Sequence, residues 1–155
     1  MIRTISLLAL GSLWLACSST MPNGYPPDFS VEYNTASQLM RSETTVKVKG
    51  TTLLLHHKSA QSKEEIDSTY DLDPQEVKAL YKLLEEANYH SMQSPKPDRV
   101  LDAPEEKITA VYDGKKNGVA FGSVKKIPQP IVQCRQKMFE LATKYDKRMK
   151  SILGY

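Results

Sequence analysis

Cysteine is scarce in this chain of 155 residues, which contains only Cys17 and Cys134. Two cysteines form at most one disulfide, so the multi-disulfide framework that holds many small secreted domains together is excluded. Long apolar runs are also missing. The longest, residues 5–16, has twelve residues, whereas a membrane-spanning helix needs roughly 20. The fold must therefore depend on a hydrophobic core.

An excess of charge of one sign is lacking as well. The 21 Lys and Arg residues against 18 Asp and Glu residues give a net charge of +3. This balance does not indicate a nucleic-acid partner, and the tyrosines do not alternate with a basic stripe. The pairs Lys115–Lys116 and Lys125–Lys126 are typical of solvated strand and turn residues rather than of a basic binding surface.

Sequence motifs of catalysis and metal binding are absent. There is no G-x-S-x-G, no H-E-x-x-H and no glycine-rich phosphate loop. His56 and His57 are adjacent on a predicted strand, so they point to opposite faces and cannot easily share one metal ion. His90 follows a predicted helix, and all three histidines are expected at the surface. We predict no enzymatic activity, cofactor, metal or small-molecule substrate.

The chain does contain a clear N-terminal leader. The basic residue Arg3 precedes the apolar run Ile5–Ala16, which ends at Cys17 and is followed by small polar residues. A short basic region, an apolar region of about 7–15 residues and a small-residue end are typical of a secretory signal peptide. The sequence therefore predicts export.

This leader resembles that of bacterial lipoprotein precursors. In that family a lipobox of the form Leu-small-small-Cys is diacylated on the cysteine thiol, and cleavage makes the cysteine the first residue. Ala16 and Cys17 match the last two positions of this motif. Trp14 and Leu15 depart from it, and Leu13 lies one residue further out. The resemblance covers only the leader and the segment after it.

The resemblance implies lipidation of Cys17 and a location in the bacterial cell envelope. Ser18 after the cysteine favours the outer membrane over the inner membrane. Two alternatives remain open: ordinary signal-peptidase cleavage just before Ser19, and an uncleaved apolar N-terminus. Residues 17–28 are rich in Ser, Pro, Asn and Gly and are predicted to form a flexible tether. The predicted organisation is thus a signal peptide (1–16), a lipidated tether (17–28) and one domain (29–155).

Alternating apolar and polar residues predict several strands in the domain. They lie at 29–33, 44–49, 51–57, 66–72, 108–113 and 119–124. Gly50 separates two of these segments, which form either one bent strand or a hairpin. The sequence "DGKKNG" from Asp113 predicts a hairpin loop.

Two amphipathic helices are predicted. Asp73 followed by Pro74 and Glu76 forms a capping box at the start of the first, which runs to Asn88. The second begins near Pro130 and repeats apolar residues every three or four positions to residue 152. Cys134 lies on that apolar stripe and is predicted to be buried. Together these elements predict an α+β domain: an antiparallel sheet of about 4–6 strands with both helices packed on one face.

The function is expected to be non-enzymatic binding or assembly by a lipid-anchored envelope protein. Its predicted partners are the membrane, through the anchor, and an envelope protein. Residues 90–106 form a long predicted polar loop, and such loops are often functional. One alternative is therefore an inhibitor of a hydrolase that uses this loop. Another is an exported hydrolase whose triad is assembled from distant residues.

Overall fold

A computed structural model describes residues 23–97, 103–122 and 124–154. The predicted signal peptide and Cys17 lie outside the described residues. The elements in chain order are β1 (Ser30–Ser37), β2 (Ser42–Lys49), β3 (Thr52–Ser59), β4 (Glu65–Asp71), α1 (Pro74–Glu86), a 3₁₀ turn (Tyr89–Ser91), β5 (Glu105–Tyr112), β6 (Lys115–Ala120), α2 (Gln129–Tyr145) and α3 (Met149–Leu153).

The strands form one antiparallel sheet of six, in the order β4-β3-β2-β1-β5-β6. The first four strands follow each other as a meander, and α1 then carries the chain across the sheet to β5 beside β1. α1 and α2 pack against each other over the same face. The apolar side chains of alternate strand positions, such as Val31 and Ile108, meet them there and are fully buried. The predicted α+β class is confirmed.

Two of the hairpins in the described sheet have turns of only two residues. β2 and β3 are separate strands joined at Gly50–Thr51, so the segments around Gly50 form a hairpin rather than one bent strand. Asp113 and Gly114, with φ of 53° and 68°, join β5 to β6 in a turn of two residues. The rest of the predicted loop, 115–118, belongs to β6, which begins and ends earlier than the predicted strand at 119–124.

The capping box of α1 also joins the two long helices. Asp73 accepts a hydrogen bond from the Gln75 amide (2.8 Å), and Glu76 accepts one from the Asp73 amide (3.3 Å). The Glu76 carboxylate also binds Lys144 Nζ and Tyr145 Oη, each at 2.7 Å. Burial opposes ionisation of Glu76, but these hydrogen bonds outweigh it and lower the pKa of the carboxyl. The start of α1 is thereby fixed to the end of α2.

The prediction of one continuous C-terminal helix is wrong, because the chain leaves helical geometry at Asp146. Its backbone is extended (φ −132°, ψ 107°), and its carboxylate accepts a hydrogen bond from the Arg148 amide (3.0 Å). Aspartate competes in this way with helical hydrogen bonds. The buried carboxylate also accepts from Tyr70 Oη (3.1 Å) and Arg148 Nη2 (2.7 Å). Hydrogen bonds from the Arg148 guanidinium hold the pKa of Asp146 below its usual value.

The folded domain begins before β1. Tyr25 is buried, with its ring centroid 5.9 Å from that of Phe29. Asp28 accepts hydrogen bonds from the amides of Asp113 (3.2 Å) and Gly114 (2.7 Å). Both residues lie within the segment predicted as tether, yet they pack on the domain. The chain therefore enters the fold at the end of the sheet where β1 starts.

Candidate functional site

The second face of the sheet, which the helices leave open, carries a groove. Its floor consists of side chains that alternate with the buried ones along β1, β2, β5 and β6. We call this surface the open-face groove. It has two adjoining parts, an apolar cleft and a basic depression, which share Asn34 and Lys107.

The segment that follows the 3₁₀ turn, with Ser94, Pro95 and Pro97, lies beside the edge strand β6 and forms one wall of the cleft. Ser94 Oγ accepts a hydrogen bond from the Ala120 amide at 3.0 Å. Asn117 Nδ2 donates to the carbonyl oxygens of Tyr89 (2.7 Å) and Met92 (2.9 Å). The described part of the predicted 90–106 loop is thus fastened along the edge strand instead of projecting from the domain. Its last residues, 105–106, belong to β5.

A close backbone crossing forms the end of the cleft. A Cβ atom on Gly122 would lie 2.0 Å from the Pro104 oxygen and 2.4 Å from the Glu106 nitrogen. Real Cβ atoms do not approach backbone this closely, so only glycine fits here. The Phe121 amide donates to the Glu106 oxygen at 2.9 Å, which continues the β5–β6 pairing to this crossing.

The cleft has a volume of about 460 Å³ and a largely apolar lining. Ala36 and Ala120 form its floor, and Pro95, Pro97 and Val124 contribute to its sides. Small side chains on the floor and prolines on the wall leave room for a ligand several atoms thick. A concave apolar surface with a few placed polar groups is the usual form of a binding site.

The basic depression adjoins the cleft along β1. Lys47, Lys107 and Lys116 surround Glu32 there, so three positive charges and one negative charge leave a net +2. Glu32 is engaged by Lys47 Nζ (2.7 Å) and Asn34 Nδ2 (2.6 Å). The hydrogen bond from Lys47 lowers the pKa of the Glu32 carboxyl. This part of the groove therefore has positive charge that Glu32 does not neutralise.

Lys107 reaches into the depression because Gly118, on the adjacent strand β6, has no side chain to block it. A Cβ atom on Gly118 would lie 2.7 Å from Lys107 Cε and 3.3 Å from Nζ. The lysine stem thus lies across the space above Gly118, and its ammonium group lies on the β6 side of the groove.

The opposite end of the groove is acidic. Glu43 and Glu105 are the two register partners of Ala36, one on each neighbouring strand. Glu43 Oε1 lies 3.6 Å from His56 Nε2, and Lys58 is its register partner on β3, so the two carboxylates and this lysine leave a net charge of −1. Ala36 and Glu32 are four residues apart on β1, which places the acidic row about 13 Å from the row of Glu32. The groove therefore has opposite charges at its two ends.

The three histidines do not share one environment. His57 points to the helix-covered face with 6% exposure, and its Nδ1 lies 2.9 Å from Thr44 Oγ1. The prediction of a surface position is wrong for this residue. His56 points to the open face, as expected from strand geometry. His90 is half-buried against the Tyr112 ring (3.8 Å), with Nε2 3.1 Å from the Tyr112 oxygen.

The remaining polar clusters stabilise the core. On the helix-covered face, Glu106 accepts hydrogen bonds from Tyr33 Oη (2.7 Å) and Arg135 Nη1 (3.2 Å). Burial raises the pKa of the Tyr33 hydroxyl. Cys134 is fully buried, as predicted, and burial raises the pKa of its thiol to about 12. A thiol in this state is a poor nucleophile.

Within 23–97, 103–122 and 124–154, no three His, Cys, Asp or Glu side chains are grouped so that they could hold a metal ion. In the same residues no helix is long and apolar enough to cross a membrane. The chain matches no protein-family model and no curated protein.

The groove could not be predicted from the sequence. The alternation of β1 and β5 indicates which side chains share a face, but the position of Ser94 and Pro95 beside β6 depends on tertiary structure. Gly122 was the one local signal, since an isolated glycine after a strand often marks a close backbone approach.

Proposed function

We propose that this chain is a lipid-anchored protein of the bacterial cell envelope that binds a partner through the open-face groove without catalysing a reaction. The leader that ends at Cys17 supports the anchor, and Ser18 favours the outer membrane. The observation that carries the binding role is the groove itself: an apolar cleft of about 460 Å³ that continues into a depression with a net charge of +2.

The position of the groove suits a tethered domain. From Cys17 to Asn23 the chain advances six residues, which span at most about 20 Å when extended. The chain then enters the fold beside Phe29, at the end of the sheet that carries Ser30 and Lys116. An anchor at Cys17 would therefore be attached to the end of the sheet that carries the basic part of the groove.

Recognition explains the side chains of the groove better than catalysis does. The Asn34 amide donates to Glu32 and accepts from Thr45 Oγ1 (2.7 Å), so it is held in one orientation. Glu32 is paired with Lys47, and the β1 strand separates Glu43 from Glu105, whereas acid–base chemistry needs its groups within hydrogen-bonding reach of one reacting group. Charges of fixed sign at fixed positions give specificity for a complementary partner.

Site-specific photo-crosslinking in cells tests this binding role. With the photoreactive residue p-benzoylphenylalanine at Ala36 on the groove floor, irradiation is expected to yield a specific adduct. Lys82, 69% exposed on the outer face of α1, is the matched control position and is expected to yield none. The adduct at position 36 is also expected to weaken with Lys107→Glu. The same adducts at both positions, or none at Ala36, would refute the binding role.

A further inference from the structure

We infer that the open-face groove binds a short, extended peptide segment that carries a cationic side chain and, four residues away, a carboxylate. This inference rests on the proposed binding function and names its ligand class. It follows from three features of the groove: an acidic end, an apolar middle and a basic end.

The acidic end fits a cationic side chain. Glu43 and Glu105 flank Ala36 across two strand spacings, so their Cα atoms are roughly 10 Å apart. The small side chain of Ala36 leaves the space between the two carboxylates open. His56 and Lys58 both lie beside Glu43 on this face, so Glu105 is the carboxylate left for the ligand. A lysine or arginine of the ligand entering over Ala36 can therefore pair with Glu105.

The basic end fits a carboxylate. Lys47 already pairs with Glu32 at 2.7 Å, so the remaining positive charge belongs to Lys107 and Lys116. Lys107 Nζ lies on the β6 side above Gly118, and Lys116 follows on the same face of β6, two residues before Gly118. The Thr109 side chain lies between these groups as a further hydrogen-bond donor.

The distance between the two ends of the groove favours an extended peptide as the ligand. The rows of Ala36 and Glu32 are about 13 Å apart, which equals four residues of extended chain at about 3.3 Å each. Between these rows lies the row of Asn34, Lys107 and Ala120. The apolar cleft beside it, with Pro95 and Pro97, accommodates small apolar side chains between the charges. An anionic amphiphile with a single head group would leave Glu105 without a counterpart. Opposite charges at this spacing therefore favour a peptide.

Isothermal titration calorimetry with defined peptides tests the inference. The full-length chain, purified from membranes in an uncharged detergent, is titrated at low salt with unlabelled acetyl-Lys-Ala-Val-Ala-Asp-amide. We expect this peptide to bind at least about tenfold more tightly than acetyl-Ala-Lys-Asp-Val-Ala-amide, which has the same composition but adjacent charges. The difference is expected to disappear in about 1 M salt, where charges beyond about 3 Å are screened. Equal affinities for the two peptides at low salt would overturn the inference.

Charge reversal in the protein separates a binding defect from a folding defect. Lys107→Glu is expected to lower the affinity for acetyl-Lys-Ala-Val-Ala-Asp-amide at least about tenfold and to raise the affinity for acetyl-Lys-Ala-Val-Ala-Lys-amide. Lys82→Glu on α1 is expected to leave both affinities unchanged. No change with Lys107→Glu would also overturn the inference. If the protein does not distinguish the peptides but crosslinking from Ala36 yields a specific adduct, the ligand class is wrong and the binding role stands. If the peptides are not distinguished and no specific adduct forms, the proposed function itself is refuted.

Discussion

Replacing Phe29 by alanine is expected to lower the free energy of unfolding by about 4 kcal/mol, the largest effect of any single change considered. Phe29 is 1% exposed. Its ring lies 5.9 Å from Tyr25, 5.5 Å from Tyr81 and 6.5 Å from Tyr112, measured between centroids. Removing the ring leaves a cavity among three aromatic side chains that come from different parts of the chain. Urea unfolding followed by circular dichroism measures the loss.

Phe29→Leu is the matched control, because it keeps most of the buried volume and is expected to cost about 1 kcal/mol. In the alanine variant Tyr25 also loses its packing partner, so proteolysis near the start of the domain is expected to accelerate. A loss below about 1 kcal/mol for Phe29→Ala would contradict the assignment of this aromatic cluster to the core.

Replacing Gly122 by alanine is expected to cost about 3 kcal/mol, because the added methyl group has no space. It would lie 2.0 Å from the Pro104 oxygen and 2.4 Å from the Glu106 nitrogen. Both are backbone atoms, so relief requires the two chain segments to separate and the hydrogen bond from the Phe121 amide to Glu106 to break. The same urea experiment measures the loss, and the peptide affinity of the groove is expected to fall with it.

Gly50→Ala is a suitable comparison for this prediction. Gly50 has φ of +54° but no atom within 4 Å of an added Cβ, so alanine there meets only backbone strain of about 1–2 kcal/mol. The contrast isolates steric overlap at Gly122 from conformational preference. If Gly122→Ala costs no more than Gly50→Ala, the close crossing of β6 with the start of β5 is wrong.

Local signals in the sequence were enough to predict much of the fold. The capping box of Asp73 and Glu76 marks the start of α1, because capping depends only on residues within one helical turn. Alternating apolar and polar residues predicted the strands, and short turns between them implied antiparallel pairing. The ends of β6 were misplaced, because Asp113–Gly114 forms a shorter turn than the run of polar residues suggested.

The features that the sequence did not predict depend on contacts between distant residues. The helix ends at Tyr145 because Asp146 is held by Tyr70 and Arg148, and an apolar stripe that continues past it conceals this break. His57 is buried because helices cover its face of the sheet. The groove needs the register of Ala36 with Glu43 and Glu105, and strand register between distant segments cannot be read from either segment alone.

The measurement that tests the central claim most directly is the intact mass of the protein extracted from membranes, compared between the wild type and Cys17→Ala. The proposed lipid anchor predicts a chain that begins at Cys17 and is heavier than its sequence by the attached acyl groups. This species is expected to be lost in the variant. An unmodified chain that begins at Ser19, or an uncleaved chain that begins at Met1, would contradict the anchor.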